Sequence, residues 1–94
     1  MMHNPASFPA LPPDSAPLAV AGHTHCGQIA IPLTSVWSYM QLRADERVVV
    51  DGWAPVGYGA KGNWLHVNCG IGFSLVPMRI AVPPQVVFFE LRAV

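Results

Sequence analysis

Charge is what this sequence has least of. Asp, Glu, Lys and Arg make up 11% of its 94 residues, against roughly a quarter in ordinary soluble domains. The basic and acidic side chains cancel to a net charge of zero. Nucleic-acid binding driven by counterion release needs a basic patch, and nothing here supplies one. Met1 to Pro5 lacks the basic and apolar regions of a signal peptide. The longest apolar runs, such as Val86 to Phe89, are strand-sized, far short of the about 20 residues a spanning helix needs. The two cysteines, Cys26 and Cys69, form neither a disulfide framework nor a close metal-ligand pair. Two buried free thiols are the expected state, with a single disulfide as the alternative. The redox compartment stays open.

What the chain does have is apolar surface and punctuation. Hydrophobic residues make up 52%. A chain this short has much surface for its volume, so this composition implies missing packing partners. Those are either the rest of a larger domain or the other subunits of an obligate oligomer. Exposed apolar patches and unpaired strand edges would make the isolated chain self-associate.

Pro5, Pro9, Pro12, Pro13 and Pro17 mark residues 4–17 as a loop, with one helical turn near Phe8. Leu18 to Ala21 reads as a buried strand, ended by Gly22, and extended structure resumes over Gln28 to Ile31. Thr34 is a candidate N-cap for a helix over Ser35 to Leu42. Arg47 to Trp53 reads as a strand. Asn63 to Asn68 alternates, with Trp64, His66 and Asn68 on one side and Leu65 and Val67 on the other. Val86 to Leu91 reads as a final strand. The whole is β-rich, with one short helix and glycine- and proline-rich connections.

The chemistry concentrates in Gly22-His23-Thr24-His25-Cys26-Gly27-Gln28. Histidines at i and i+2 in extended backbone project to one side, and neutral imidazole ligates zinc, iron, manganese and related ions. His3, in the loop before the strand, could fold back onto the pair. A bare His-x-His is common. This one follows an apolar strand between glycines, and ligands gather at the carboxyl ends of strands.

Gly22-His23-Thr24-His25 with Gly27-Gln28 resembles the last metal-binding motif of the calcineurin-like metallophosphoesterases, in a bacterial branch that carries Gly-His-Thr-His-x-Gly-Gln. His3-Asn4-Pro5 resembles the preceding motif of that branch. Leu65-His66-Val67-Asn68-Cys69-Gly70-Ile71-Gly72 resembles its following strand and glycine turn, with Cys69 where Arg is usual. Pro77-Met78-Arg79, Pro83-Pro84 and the final apolar segment also fit, so the resemblance covers nearly the whole chain.

The resemblance implies an α/β fold, in which residues 1–94 are the C-terminal, β-rich part of a four-layer αββα sandwich. It implies two divalent metal ions, of manganese, iron or zinc, with His3 and His23 on one and His25 on the other. The activity implied is hydrolysis of a phosphomonoester or phosphodiester, and lipid-like substrates and membrane association occur in the branch. The rest of the family's site is an Asp-x-His, a Gly-Asp whose carboxylate bridges the metals, and a Gly-Asn-His. None of the three precedes His3, so the chain alone is expected to be inactive and to need a missing N-terminal half. The alternative is a small non-catalytic β-rich metal-binding or interaction module. A third reading is a truncated frame with no stable fold.

Other residues carry plainer readings. His66 is expected to be an ordinary strand histidine, and Cys26 a bystander. Arg79 has the donors to hold a phosphate, but a structural salt bridge or a solvated tip is the more ordinary role. Thr24, Gln28 and Asn68 could orient ligands or serve the backbone. Trp37, Tyr39, Trp53, Tyr58 and Trp64 are expected in packing or along an apolar groove.

Overall fold

The computed structural model describes residues 1–29, 49, 51–75 and 77–93. The helix expected over Ser35 to Leu42, with Thr34, Trp37 and Tyr39, lies outside them. Among the described residues the architecture is a three-stranded mixed sheet with two short 3-10 helices. Strand β1 is Ala19–Ala21, β2 is Gly52–Trp53 and β3 is Leu65–Val67. β3 is central, in the order β1-β3-β2. It pairs parallel with β1, Ala19 opposite Leu65 and Ala21 opposite Val67. It pairs antiparallel with β2, Trp53 opposite His66.

The alternation read from the sequence sets the two faces of β3. Leu65 and Val67 lie with Ala19 and Ala21 in one core, closed by Phe8 and Val49. Phe8, Leu65 and Val67 are almost wholly inaccessible, and each contributes about 1.5–3 kcal/mol by burial. Phe8 comes from the 3-10 helix Pro5–Ala10, which has proline at its start. Asn4 caps that helix, its side-chain oxygen accepting the Ala6 N–H at 2.9 Å. On the opposite face of β3, His66 meets Trp53 and Phe89 edge-on, at centroid distances of 5.0 and 5.2 Å. His66 is thus a strand histidine packed among rings.

Asn63, just before β3, anchors the proline-rich loop. Its side chain donates to the Pro12 carbonyl at 2.8 Å and accepts the Ala16 N–H at 2.9 Å. The Trp64 N–H also donates to the Ala16 carbonyl. The loop therefore cannot drift, and Phe8 stays over the sheet. Gly59 makes room for that ring. At φ +86° it suits glycine, and a Cβ there would sit 2.7 Å from Phe8 Cε1.

Two expected strands change. Within Arg47 to Trp53 the ladder is confined to Gly52–Trp53; Asp51 is a bend, and residues 47, 48 and 50 lie outside the described set. Val86 to Leu91 is not a strand. An apolar run becomes a strand only beside an edge that accepts its hydrogen bonds. Here the Gln85 N–H bonds the Gly70 carbonyl, and Val86, Phe88 and Leu91 remain exposed at 66%, 93% and 79%. Val87 is half-buried, and the Phe89 ring meets His66 and Trp53 edge-on.

Phe8→Ala should cost about 3–5 kcal/mol, the usual range for a buried aromatic cut to alanine. Gly59→Ala should destabilise through the same ring. Urea unfolding followed by tryptophan fluorescence checks both. An unchanged midpoint for both variants would contradict the placement of Phe8.

Candidate metal centre

Parallel pairing of β1 with β3 sets their carboxyl ends side by side. The chain start adds a third segment there. The Met2 N–H donates to the Val20 carbonyl at 3.0 Å, and the Gly22 N–H donates to the His3 carbonyl at 3.2 Å. Residues 2 and 3 thus run along β1, and Asn4 then turns the chain away. His3 arrives beside His23, with ring centroids 4.6 Å apart and planes tilted by 60°. His3 is exposed and borders an open depression lined also by Met1, Met2, Val20, Ala21 and Gly22.

The loop after β1 is not the extended stretch expected from His-x-His. His23, His25, Cys26 and Gln28 have φ of 70°, 50°, 50° and 49°, and Gly27 has 78°. Alternation therefore does not set the imidazole directions; a coiled backbone does. Side chains in this left-handed region cost roughly 1–3 kcal/mol each unless the surroundings hold them. Thr24 and Gln28 contribute that hold. Thr24 is 2% exposed. Its N–H donates to the Gly22 carbonyl, its carbonyl accepts the Gly27 N–H, and its hydroxyl oxygen accepts the Cys26 N–H at 3.3 Å. The Gln28 amide accepts the Ser74 N–H at 2.6 Å and donates to the Ser74 carbonyl at 3.1 Å. The Gln28 carbonyl also accepts the Ile80 N–H, beside a parallel bridge between Ile29 and Ile80. Both side chains bind backbone here.

His25 Nδ1 is buried without a hydrogen-bond partner among the described residues, a state that a bound ion or water would relieve. His66 Nδ1 shares it inside its ring cluster, so an orphan nitrogen alone does not define a ligand. At His25 it coincides with the strand-end loop that also carries His23. The donors gathered here are a close imidazole pair, His3 with His23, and a separate buried imidazole nitrogen on His25. Among the described residues, one set of three potential ligand atoms lies within 4.8 Å of one another, and it is Cys26, Asp51 and Cys69. Neither the histidines nor any carboxylate beside them forms such a set among the described residues.

The cysteines are not free thiols. Cys26 and Cys69 form a disulfide, with Cα atoms 4.7 Å apart. The cause is again the parallel pair: Cys26 lies just past the end of β1 and Cys69 just past the end of β3. Distance along the chain hid this proximity. By the chain-entropy relation, closing a loop of 43 residues contributes about 4 kcal/mol.

Arg79 makes no salt bridge among the described residues. It spreads its donors over backbone carbonyls: Val82 at 2.8 Å, Gly72 at 2.6 Å, His25 at 3.2 Å and Cys69 at 3.4 Å. Asn68 accepts the Gly70 N–H at 2.6 Å, a loop-capping role. Arg79 and the disulfide therefore tie the same two segments together by independent means.

Arg79→Lys should loosen this junction, because an ammonium cannot span the carbonyls that a guanidinium fork reaches. The expected cost is about 1.5–3 kcal/mol, the range for hydrogen bonds to a charged group. Amide hydrogen exchange should quicken at Gly27, Gln28 and Gly70. Unchanged protection there would contradict the assigned role.

No family model matches this chain, and no curated protein or solved structure matches it either.

Proposed function

We propose that this chain supplies the histidine side of a dinuclear metal centre that hydrolyses phosphate esters. In this reading His3 and His23 hold one divalent ion and His25 the other. The observation that carries it is the convergence of His3 and His23, 4.6 Å apart, at the carboxyl end of β1. That convergence depends on backbone bonds from residues remote in sequence, and it brings together the two motifs that resemble the metallophosphoesterases. The buried, unpartnered Nδ1 of His25 supports a second ion. When bound, two such ions would polarise a phosphoryl group and lower the pKa of a coordinated water. The residues of this chain would bind and orient them.

The carboxylates that would bridge and balance the two ions are proposed to come from outside these residues, within the four-layer αββα sandwich the resemblance implies. Exposed apolar side chains support a missing layer. Leu75, Phe88 and Leu91 are 91%, 93% and 79% exposed, and Trp53, Trp64 and Phe73 are each more than half exposed. Surface of this kind marks an interface. Phosphomonoester and phosphodiester substrates both remain within the proposal, as does a lipid-like ester. Among the described residues no helix is long and apolar enough to cross a membrane.

A second reading, a small non-catalytic metal-binding or interaction module, is favoured by one observation: among the described residues no carboxylate gathers with the histidines in a ligand cluster. The two readings share the metal site and differ in turnover once the chain is completed.

On the oxidised chain alone, titration calorimetry with manganese or zinc should show binding that His3→Ala and His23→Ala each weaken about tenfold or more. No turnover of a chromogenic phosphodiester should accompany it. Metal binding indifferent to His23→Ala would overturn the site. Turnover by the chain alone, lost in His23→Ala, would overturn the claim that the carboxylates lie elsewhere.

A further inference from the structure

The other ligand cluster includes Cys26, the residue after His25. The Cys26 and Cys69 sulfurs and an Asp51 carboxylate oxygen lie within 4.8 Å of one another. A tetrahedral zinc ion with bonds near 2.0–2.3 Å holds its ligand atoms roughly 3.3–3.8 Å apart. Three protein ligands plus water is a common zinc arrangement, and thiolate sulfur suits zinc. The present disulfide occupies both sulfurs, so the cluster can hold an ion only after reduction. We propose that Cys26, Asp51 and Cys69 form a redox-gated zinc site: a disulfide when oxidised, a two-thiolate, one-carboxylate site when reduced.

The geometry supports this beyond proximity. Opening the disulfide would ordinarily let its ends separate. Here other bonds keep both cysteines in place. The Cys26 N–H is held by the Thr24 hydroxyl oxygen at 3.3 Å, and the Cys69 N–H by the Gln85 side-chain oxygen at 3.1 Å. Arg79 joins the His25 carbonyl, one residue before Cys26, to the Cys69 carbonyl. The Asn68 N–H bonds the Ala21 carbonyl at 2.8 Å, so the strand ends stay paired. The two sulfurs then need only side-chain rotation to move from bonding distance to a coordination edge. The Asp51 carboxylate makes no hydrogen bond or ion pair with any described residue and is exposed, so it is free to take a metal.

The chemistry balances with a dithiol as the reductant. One of its thiolates attacks a cystine sulfur and breaks the bond between Cys26 and Cys69. Its second thiol resolves the mixed disulfide. The protein gains two thiols, and the reductant leaves as a disulfide carrying the two-electron oxidation. Zinc then displaces both thiol protons to solvent and binds the thiolates.

Cobalt tests this, because thiolate-bound cobalt has a near-ultraviolet charge-transfer band that imidazole or carboxylate ligation lacks. The full 94-residue chain is titrated with cobalt chloride in its oxidised form and after reduction. The reduced chain should develop the band with one cobalt per chain, and one equivalent of zinc should abolish it. The oxidised chain should show none. Asp51→Asn, at an exposed position, should keep the fold and the band but weaken cobalt binding about tenfold or more, since even outer partners of ligands contribute 10–100-fold. His3→Ala/His23→Ala should leave the band intact, which separates this site from the proposed histidine centre. The proposal is overturned if reduction yields no band, if Asp51→Asn binds cobalt as tightly as the parent chain, or if the reduced chain in concentrated urea binds it equally well.

Discussion

The parallel pairing of β1 with β3 is the constraint on which the rest depends. Parallel neighbours put their carboxyl ends at the same edge, so whatever follows each strand must share one small region. After β1 comes the His23–Gln28 loop, and after β3 comes the Asn68–Gly72 turn. The Cys26–Cys69 disulfide and the Arg79 carbonyl contacts are consequences of that sharing. The bonds from Met2 and His3 to the outer side of β1 add the third segment. Were β3 antiparallel to β1, Cys69 would sit at the far end of the sheet and the cluster of Cys26, Asp51 and Cys69 would not exist.

The same constraint explains why a loop with so many residues at positive φ persists. The side chains of Thr24 and Gln28 make local and long-range bonds, and the disulfide and Arg79 hold the loop from the opposite strand end. Backbone strain of this kind tends to collect where a structure presents groups for binding. Here the strained residues include His23 and His25, the two the motif marks as ligands. The small core under Phe8 anchors the base of the arrangement, while on the opposite face His66 is buried beside a half-exposed Trp53.

Much of this was legible in the sequence, and what was not has physical reasons. The apolar run at Leu18 to Ala21 and the alternation at Asn63 to Asn68 marked β1 and β3 closely, because both strands bury one face in the core. The helical turn at Phe8 followed from the flanking prolines. The fold class was legible only as a β-rich α/β piece: the mixed sheet is seen, and the wider sandwich remains a proposal. Val86 to Leu91 misled because an apolar run specifies a tendency to burial, not a hydrogen-bonding neighbour, and among the described residues it pairs with no strand. The projection of His23 and His25 misled because the alternation rule assumes extended backbone. The disulfide and Asp51 were illegible because two cysteines far apart in sequence carry no pairing signal until the strand order is known. Arg79 was underrated for a similar reason: its carbonyl partners come from several separate segments.

The account's central claim is that imidazoles from separate parts of the chain converge on metal. X-ray absorption at the zinc edge, on the oxidised chain loaded with substoichiometric zinc, tests that most directly. The oxidised form keeps both sulfurs out of the coordination sphere. The account predicts a first shell of nitrogen and oxygen, with the outer-shell scattering of at least two imidazoles that falls in His3→Ala. A spectrum without imidazole scattering, or one unchanged by His3→Ala, would contradict it.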